Sequence, residues 1–231
     1  VRRGRPEIKN VLLEWLKKDN LDVIITTGGT GLTGRDITPE AIKELKLGNP
    51  VVLPTDTVYG LGALSSNIEA VDKVFEIKER PFSQSLPVLV ADFDQASEIA
   101  VTDSIPEVVK KFWPGPLTVI VPQRFEMPIY VGLEKSTVGI RCPNHDFVRT
   151  IAKEVGPLVV TSANLSGVPT PLTAFEVAEQ LGNDLLVLDG GSCAGRPSTL
   201  VDLSLSNPKI IRLGEISKEE LSKAGLIDND G

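Results

Sequence analysis

Arginines and hydroxyl side chains gather in this chain at the ends of short apolar runs and in glycine-rich turns. PTDTVYGLG (residues 54–62) follows the apolar run 51–53, and KER (78–80) closes a helical pattern just before Pro81. WPGPLT (113–118) leads into another apolar run, STVGIR (136–141) ends one on a cation, and TSANLSG (161–167), DGG (189–191) and RPST (196–199) follow in order. These segments bring Lys78, Arg80, Arg141 and Arg196, with Arg212 further on, into a setting rich in hydroxyls. Such donors suit a triphosphate and a carboxylate. A guanidinium meets two oxygens of either group at once, and hydroxyls and loop N–H groups take the remainder. Taken singly, each motif has a plainer reading: WPGP as a rigid turn with a buried Trp113, TSAN as an Asx or Ser/Thr turn, KER as a solvated helix end. Cys142 and Cys193 read as packing residues, and His145, at a helix start, as a surface residue.

The elements that would position these side chains follow from periodicity. Helical spacing predicts helices over residues 69–79, 106–112 and 146–155. The first stops before Pro81 and the last at Gly156. Capping boxes at Thr173 and Glu176, and at Ser217 and Glu220, open two more. Strands are expected at 51–53, 88–91, 117–121, 138–141, 158–161, 185–188, 200–203 and 209–213. Strands mixed with helices, without strict alternation of the two, point to an α/β fold with a mixed sheet. Upstream, Val11, Leu12, Trp15 and Leu16 have helical spacing, residues 21–26 read as a strand, and TGGTGLTG (27–34) as a loop. Thr38 and Pro39 then have the form of a helix start.

Composition narrows the function classes. The 231 residues suffice for one ordinary domain, and a formal net charge of −7 argues against a broad basic surface for nucleic acid, so contact with RNA would be local. No apolar run reaches the roughly 18 residues of a membrane span, and no apolar stretch follows the basic start, so no secretory leader is expected. Two cysteines without a CxxC pair suggest a reducing cytosol, and a single histidine argues against a His-cluster metal site.

Together and in this order, the motifs over residues 46–226 resemble those of the YrdC-like threonylcarbamoyl-AMP synthases. That family's pattern runs PT-acid-TVYGLG, KxRP, WPGPLT, a strand ending in Arg-x-Pro, SAN, DGG and a Ser-Thr element. The resemblance implies a twisted, open, barrel-like mixed sheet with flanking helices, here preceded by a short helix–strand fragment. It implies an L-threonylcarbamoyladenylate synthase, a nucleotidyltransferase that makes threonylcarbamoyl-AMP and pyrophosphate from threonine, bicarbonate and ATP for a tRNA modification. Thr57, Arg141 and Ser198 would hold threonine. Arg80, Gln84, Thr137, Ser162, Asn164, Thr170 and Arg212 would hold the nucleotide, with Lys78 and Arg80 at the reacting carboxylate and phosphate. Mg²⁺ would come with ATP, held by phosphates and water rather than by a protein metal site. tRNA-modification proteins are partners to expect, and the location is cytoplasmic. Gln84, Leu89 and Leu213 depart from the Asn, His and Pro of some relatives. An RNA-binding module and a carbamoyltransferase-type domain using the same cleft are the alternatives.

Residues 21–40 instead resemble the MogA/MoaB molybdopterin adenylyltransferases. One helix, one strand and one loop of that fold are too little to bury a core, so residues 1–45 are expected to be a remnant and 46–231 the catalytic domain.

Overall fold

Runs such as VVL (51–53) and LVV (158–160) are apolar on every position, so such strands need cover on both faces. A computed structural model describes residues 38–81, 85–125, 136–182 and 184–228. The segments read at residues 11–34, with most of the MogA/MoaB-like stretch, lie outside the described residues.

Helix α1 (Thr38–Lys46) leads to strands β1 (Val51–Leu53) and β2 (Gly60–Leu64), then α2 (Ile68–Ile77), β3 (Val88–Leu89) and α3 (Phe93–Ile99). Short 3₁₀ turns precede β4 (Leu117–Pro122) and β5 (Thr137–Arg141). There follow α4 (Asp146–Val155), β6 (Leu158–Ser162), α5 (Ala174–Leu181), β7 (Leu186–Val187), β8 (Thr199–Asp202), β9 (Lys209–Arg212) and α6 (Lys218–Ala224). The nine strands form one mixed sheet in the order β7-β1-β2-β6-β3-β5-β4-β8-β9. β1/β7, β3/β5 and β4/β8 are parallel and the other pairs antiparallel.

Alternation along the strands sorts the core into two layers. Val52, Leu61, Val88, Val159, Val119, Val121, Val138, Ile140 and Val201 point to one face, where α2 adds Ala70, Val71, Val74 and Phe75. Val51, Leu53, Leu89, Leu158 and Val160 point to the other, covered by Ala41 and Leu45 of α1 and Val148, Ile151 and Ala152 of α4. Each fully buried aliphatic or aromatic side chain here contributes roughly 1.5–3 kcal/mol relative to exposure. The second layer ends at β3. Beyond it, the corresponding face of β5, β4, β8 and β9 carries Gly139 and Arg141, Thr118 and Ile120, Leu200, and Arg212, and these line a cleft.

Both capping boxes are present, at Thr173/Glu176 and Ser217/Glu220, and α4 has the expected bounds. Several expectations change, and the strands expected over 88–91 and 185–188 shorten to Val88–Leu89 and Leu186–Val187. The helix expected over residues 106–112 is a 3₁₀ turn, Glu107–Lys111, and its N-cap Pro106 makes no side-chain hydrogen bond. The helix expected over 69–79 ends at Ile77, with Glu79 at positive φ. His145 is half-buried rather than on the surface, and burial lowers its pKa. Two elements were not anticipated. β2 reads as a glycine loop in the sequence, but its glycines serve packing: a Cβ on Gly60 would overlap Val160 Cγ1. α3 is opened by Asp92, whose side chain accepts from Gln95 N at 2.9 Å.

Candidate active site

The cleft has a volume of about 630 Å³ and no carboxylate among its described lining residues. Its floor is a row across four strands. Arg141 on β5 sits beside Thr118 on β4, one step beyond the Val119–Ile140 pair. Thr118 pairs with Leu200 on β8, and Leu200 with Arg212 on β9. Three strand spacings of about 4.8 Å put the two arginine positions roughly 14 Å apart. The walls come from Thr55, Thr57 and Val58 after β1, from Arg80 and residues 85–87, from Thr161 and Ser162 at the end of β6, and from Thr170 and Ser198.

Arg141 is buried and held at three nitrogens. Its Nε donates to Gly115 O at 3.1 Å, Nη1 to Thr57 Oγ1 at 2.8 Å, and Nη2 to Asp56 Oδ1. The WPGP turn supplies the first acceptor. It has a cis Trp113–Pro114 bond, Trp113 Nε1 donates to Leu117 O at 2.7 Å, and Gly115 N donates to Cys142 O at 2.8 Å. Thr57 is positioned by Thr55, whose Oγ1 lies 3.0 Å from Thr57 Oγ1 and donates to Val58 O at 2.6 Å. Tyr59 ties this loop to the DGG segment. Its hydroxyl donates to Gly191 O at 2.6 Å and accepts from Gly190 N at 3.1 Å, and burial pushes its pKa up to about 12.

At the other end of the row, Arg212 Nη2 donates to Ser198 O at 3.0 Å and to Ser198 Oγ at 3.4 Å. Ser198 Oγ in turn lies 2.7 Å from Thr118 Oγ1. Burial lowers the pKa of Arg80, Arg141 and Arg212, and the Arg212 charge lowers those of Arg80 and Arg141 further. These guanidiniums therefore repel one another across the cleft, a repulsion that a bound anion relieves. Asp56 lies against Arg141 and opposes the effect of burial on it.

The other expected residues fall into three groups. Ser162 and Thr170 line the cleft. Lys78, Asn164 and Thr137 are buried outside its lining. Lys78 Nζ donates to the main-chain oxygens of Ser162 and Asn164. Asn164 Nδ2 donates to Leu165 O at 2.9 Å and Val168 O at 2.8 Å, so both residues shape the loop that presents Ser162. Thr137 begins β5, at the opposite end of the strand from Arg141. Arg196 is exposed and outside the lining, and Gln84 lies outside the described residues. Asp56, Thr55 and Thr118 are site residues that the sequence does not single out. Their only signal was membership of the PTDTVYGLG and WPGPLT motifs.

A family profile for Sua5, YciO and YrdC proteins, described as "Telomere recombination", matches residues 43–214. The chain belongs to this family. A threonylcarbamoyl-AMP synthase of Pyrococcus abyssi is 37% identical over 186 residues, covering 78% of this chain and 54% of the relative. One from Bacillus subtilis is 38% identical over 192 residues, covering 79% and 54%. One from Vibrio campbellii is 34% identical over 182 residues, covering 76% and 97%. The chain thus spans about half the length of the first two relatives and nearly all of the third. Among solved structures, P. abyssi Sua5 complexed with L-threonine superposes with a TM-score of 0.75 at 36% identity, over 81% of this chain and 56% of that one. Escherichia coli YciO, at 22% identity and a TM-score of 0.71 over 80% of this chain and 92% of that one, shares the fold. The Sua5/YciO/YrdC assignment agrees with the mixed sheet and its flanking helices, and the matched span holds every described cleft-lining residue.

Proposed function

We propose that the cleft makes threonylcarbamoyl-AMP and pyrophosphate from L-threonine, bicarbonate and ATP, as the names of the relatives suggest. The observation that carries this reading is the convergence of Arg80, Arg141 and Arg212 on one cleft whose described lining holds no carboxylate. Arg141, Thr57 and Ser198 take threonine, its carboxylate on the N–H groups of Arg141 that Gly115, Thr57 and Asp56 leave over. Arg80, Arg212, Ser162 and Thr170 take the nucleotide, with Gln84 and Thr137 at its margins. Lys78 and Asn164 act through the Ser162 loop, and the Lys78 charge adds to the field.

The threonine amine combines with bicarbonate, losing water, to give a carbamate. A carbamate oxygen then attacks the α-phosphorus of ATP, and the bond to the departing pyrophosphate breaks. Positioning and charge neutralisation are what such a displacement requires of a protein. Among the described residues no cluster of three His, Cys, Asp or Glu side chains could hold a metal. Mg²⁺ would arrive on the nucleotide's phosphates and would neutralise part of their charge there, with the cleft's hydroxyls and arginines on the remaining oxygens. The product would feed threonylcarbamoylation of tRNA by partner proteins in the cytoplasm. No helix of the described residues is long and apolar enough to cross a membrane. The catalytic unit is proposed to start at Thr38, because Ala41 and Leu45 of α1 belong to the core.

The test is ATP conversion to AMP and pyrophosphate with threonine or bicarbonate omitted in turn. Turnover is expected only with both present, together with a threonylcarbamoyl adenylate detected by mass spectrometry. Pyrophosphate release that ignores threonine removes the assignment.

A further inference from the structure

The cleft floor contains two hydroxyls whose protons are directed by a neighbouring cation. Thr118 and Ser198 are both buried, both line the cleft, and their oxygens are 2.7 Å apart. The bond between them uses one of the two hydroxyl protons. Ser198 Oγ also accepts from Arg212 Nη2 at 3.4 Å. A hydroxyl that accepts from a cation becomes a stronger donor. This sets the direction of the chain: Arg212 donates to Ser198, Ser198 donates to Thr118, and the Thr118 proton remains for a ligand. The pair therefore presents one donor to the cleft and matches an oxygen that accepts.

Thr118 is the cross-strand neighbour of Arg141 on the cleft face. Such neighbours have Cβ atoms about 5 Å apart. An amino acid whose carboxylate sits on the Arg141 guanidinium carries its β-substituent three bonds from the carboxyl carbon, over the cleft floor that Thr118 shares with Arg141. On its other side Thr118 is flanked by apolar Leu200.

We infer that Thr118 is the specificity-determining donor that selects a β-hydroxy amino acid over its β-methyl counterpart, threonine over valine. The inference rests on the synthase reading above and adds to it a residue and a criterion of choice.

The experiment measures pyrophosphate release by the full chain with threonine and with valine, for the wild type, Thr118→Val, Thr118→Ala and Thr118→Ser. Circular dichroism and thermal unfolding establish that each variant is folded. Loss of one hydrogen bond corresponds to about a tenfold change. Thr118→Val is expected to raise the threonine KM about tenfold and to lower the preference for threonine over valine by a similar factor, with kcat and the ATP KM near wild type. Thr118→Ala leaves out the same donor without the extra methyl, and covers the case in which valine disturbs the strand. Thr118→Ser keeps the donor and is expected to keep the preference. An unchanged preference in both non-donor variants, or an ATP KM that rises as much as the threonine KM, overturns the inference. A wild type whose turnover does not depend on threonine overturns the synthase reading itself.

Discussion

Lys78 is the cation under the tightest constraint, with 2% of its surface exposed and its ammonium on main-chain oxygens of the Ser162–Asn164 loop. Burial, reinforced by Arg80, brings its pKa down to about 8. Its charge is therefore full below that value in the folded chain and is lost as pH rises through it. The unfolded chain keeps the proton up to the ordinary lysine range, so this group's contribution to stability rises with pH across that window. Activity should move the other way. Turnover is expected to show an alkaline limb near pH 8, on top of the rising supply of free threonine amine. Lys78→Arg, which stays protonated, should remove that limb, and kcat profiles of the two proteins measured between neutrality and about pH 10 would check it. Identical profiles would show that the Lys78 charge is not used. At this scale the sequence is legible where a cation or hydroxyl ends a strand pattern, as Arg141, Ser162 and Arg212 do. It is silent on Lys78's acceptors, because main-chain oxygens have no letter. Thr118 was passed over because a threonine entering an apolar run looks like any strand residue.

At the scale of the element, β2 shows how packing overrides local preference. Gly60 and Gly62 argue for a loop on propensity, yet they pair with Ser162 and Val160 of β6, where Val160 takes the space that side chains would need. Gly60→Ala is expected to cost about 1–3 kcal/mol by overpacking. Adding Val160→Ala should recover part of that loss, because the clashing methyl groups are gone. Thermal unfolding of the two single variants and the double variant measures the coupling, and strictly additive losses would mean that the glycine serves the loop and not the pair. Helices opened by side-chain caps, such as α5 and α6, were legible to the residue, since a capping box fixes a start without reference to the rest of the chain. β3 and β7, two residues each, were overestimated because their apolar runs continue past the last ladder pair.

For the whole molecule, a net charge of −7 coexists with a cleft lined by arginines and, among the described residues, by no acid. The acidic surface discourages indiscriminate binding of polyanions, while the concave cationic site attracts a small anion. Every residue of the proposed site lies beyond residue 38, and α1 is already part of the second core layer. Deletion of residues 1–37 is therefore expected to leave threonine-dependent turnover within about twofold of the full chain, well inside the tenfold change that losing one ligand contact brings. A folded deletion protein without that turnover would place part of the site in the deleted segment. The order of strands across the sheet lay beyond reading from the sequence. β4 pairs with β8 about eighty positions away, a partnership that no local pattern announces.

The row from Arg141 to Arg212 crosses three strand boundaries, and neighbouring strands are rotated by about 20–25° each in the hand that L-amino acids impose. The strands at its two ends are thus turned relative to one another by roughly 60–75°. A flat, straight ligand laid along the row has its plane aligned with the strand at one end and turned from the strand at the other. The floor works as a chiral gauge that favours a molecule with a bend of fixed sense in its middle. Two substrates that meet at an angle and are joined there form a molecule of that shape, and the handedness of the backbone becomes a handedness of choice among ligands.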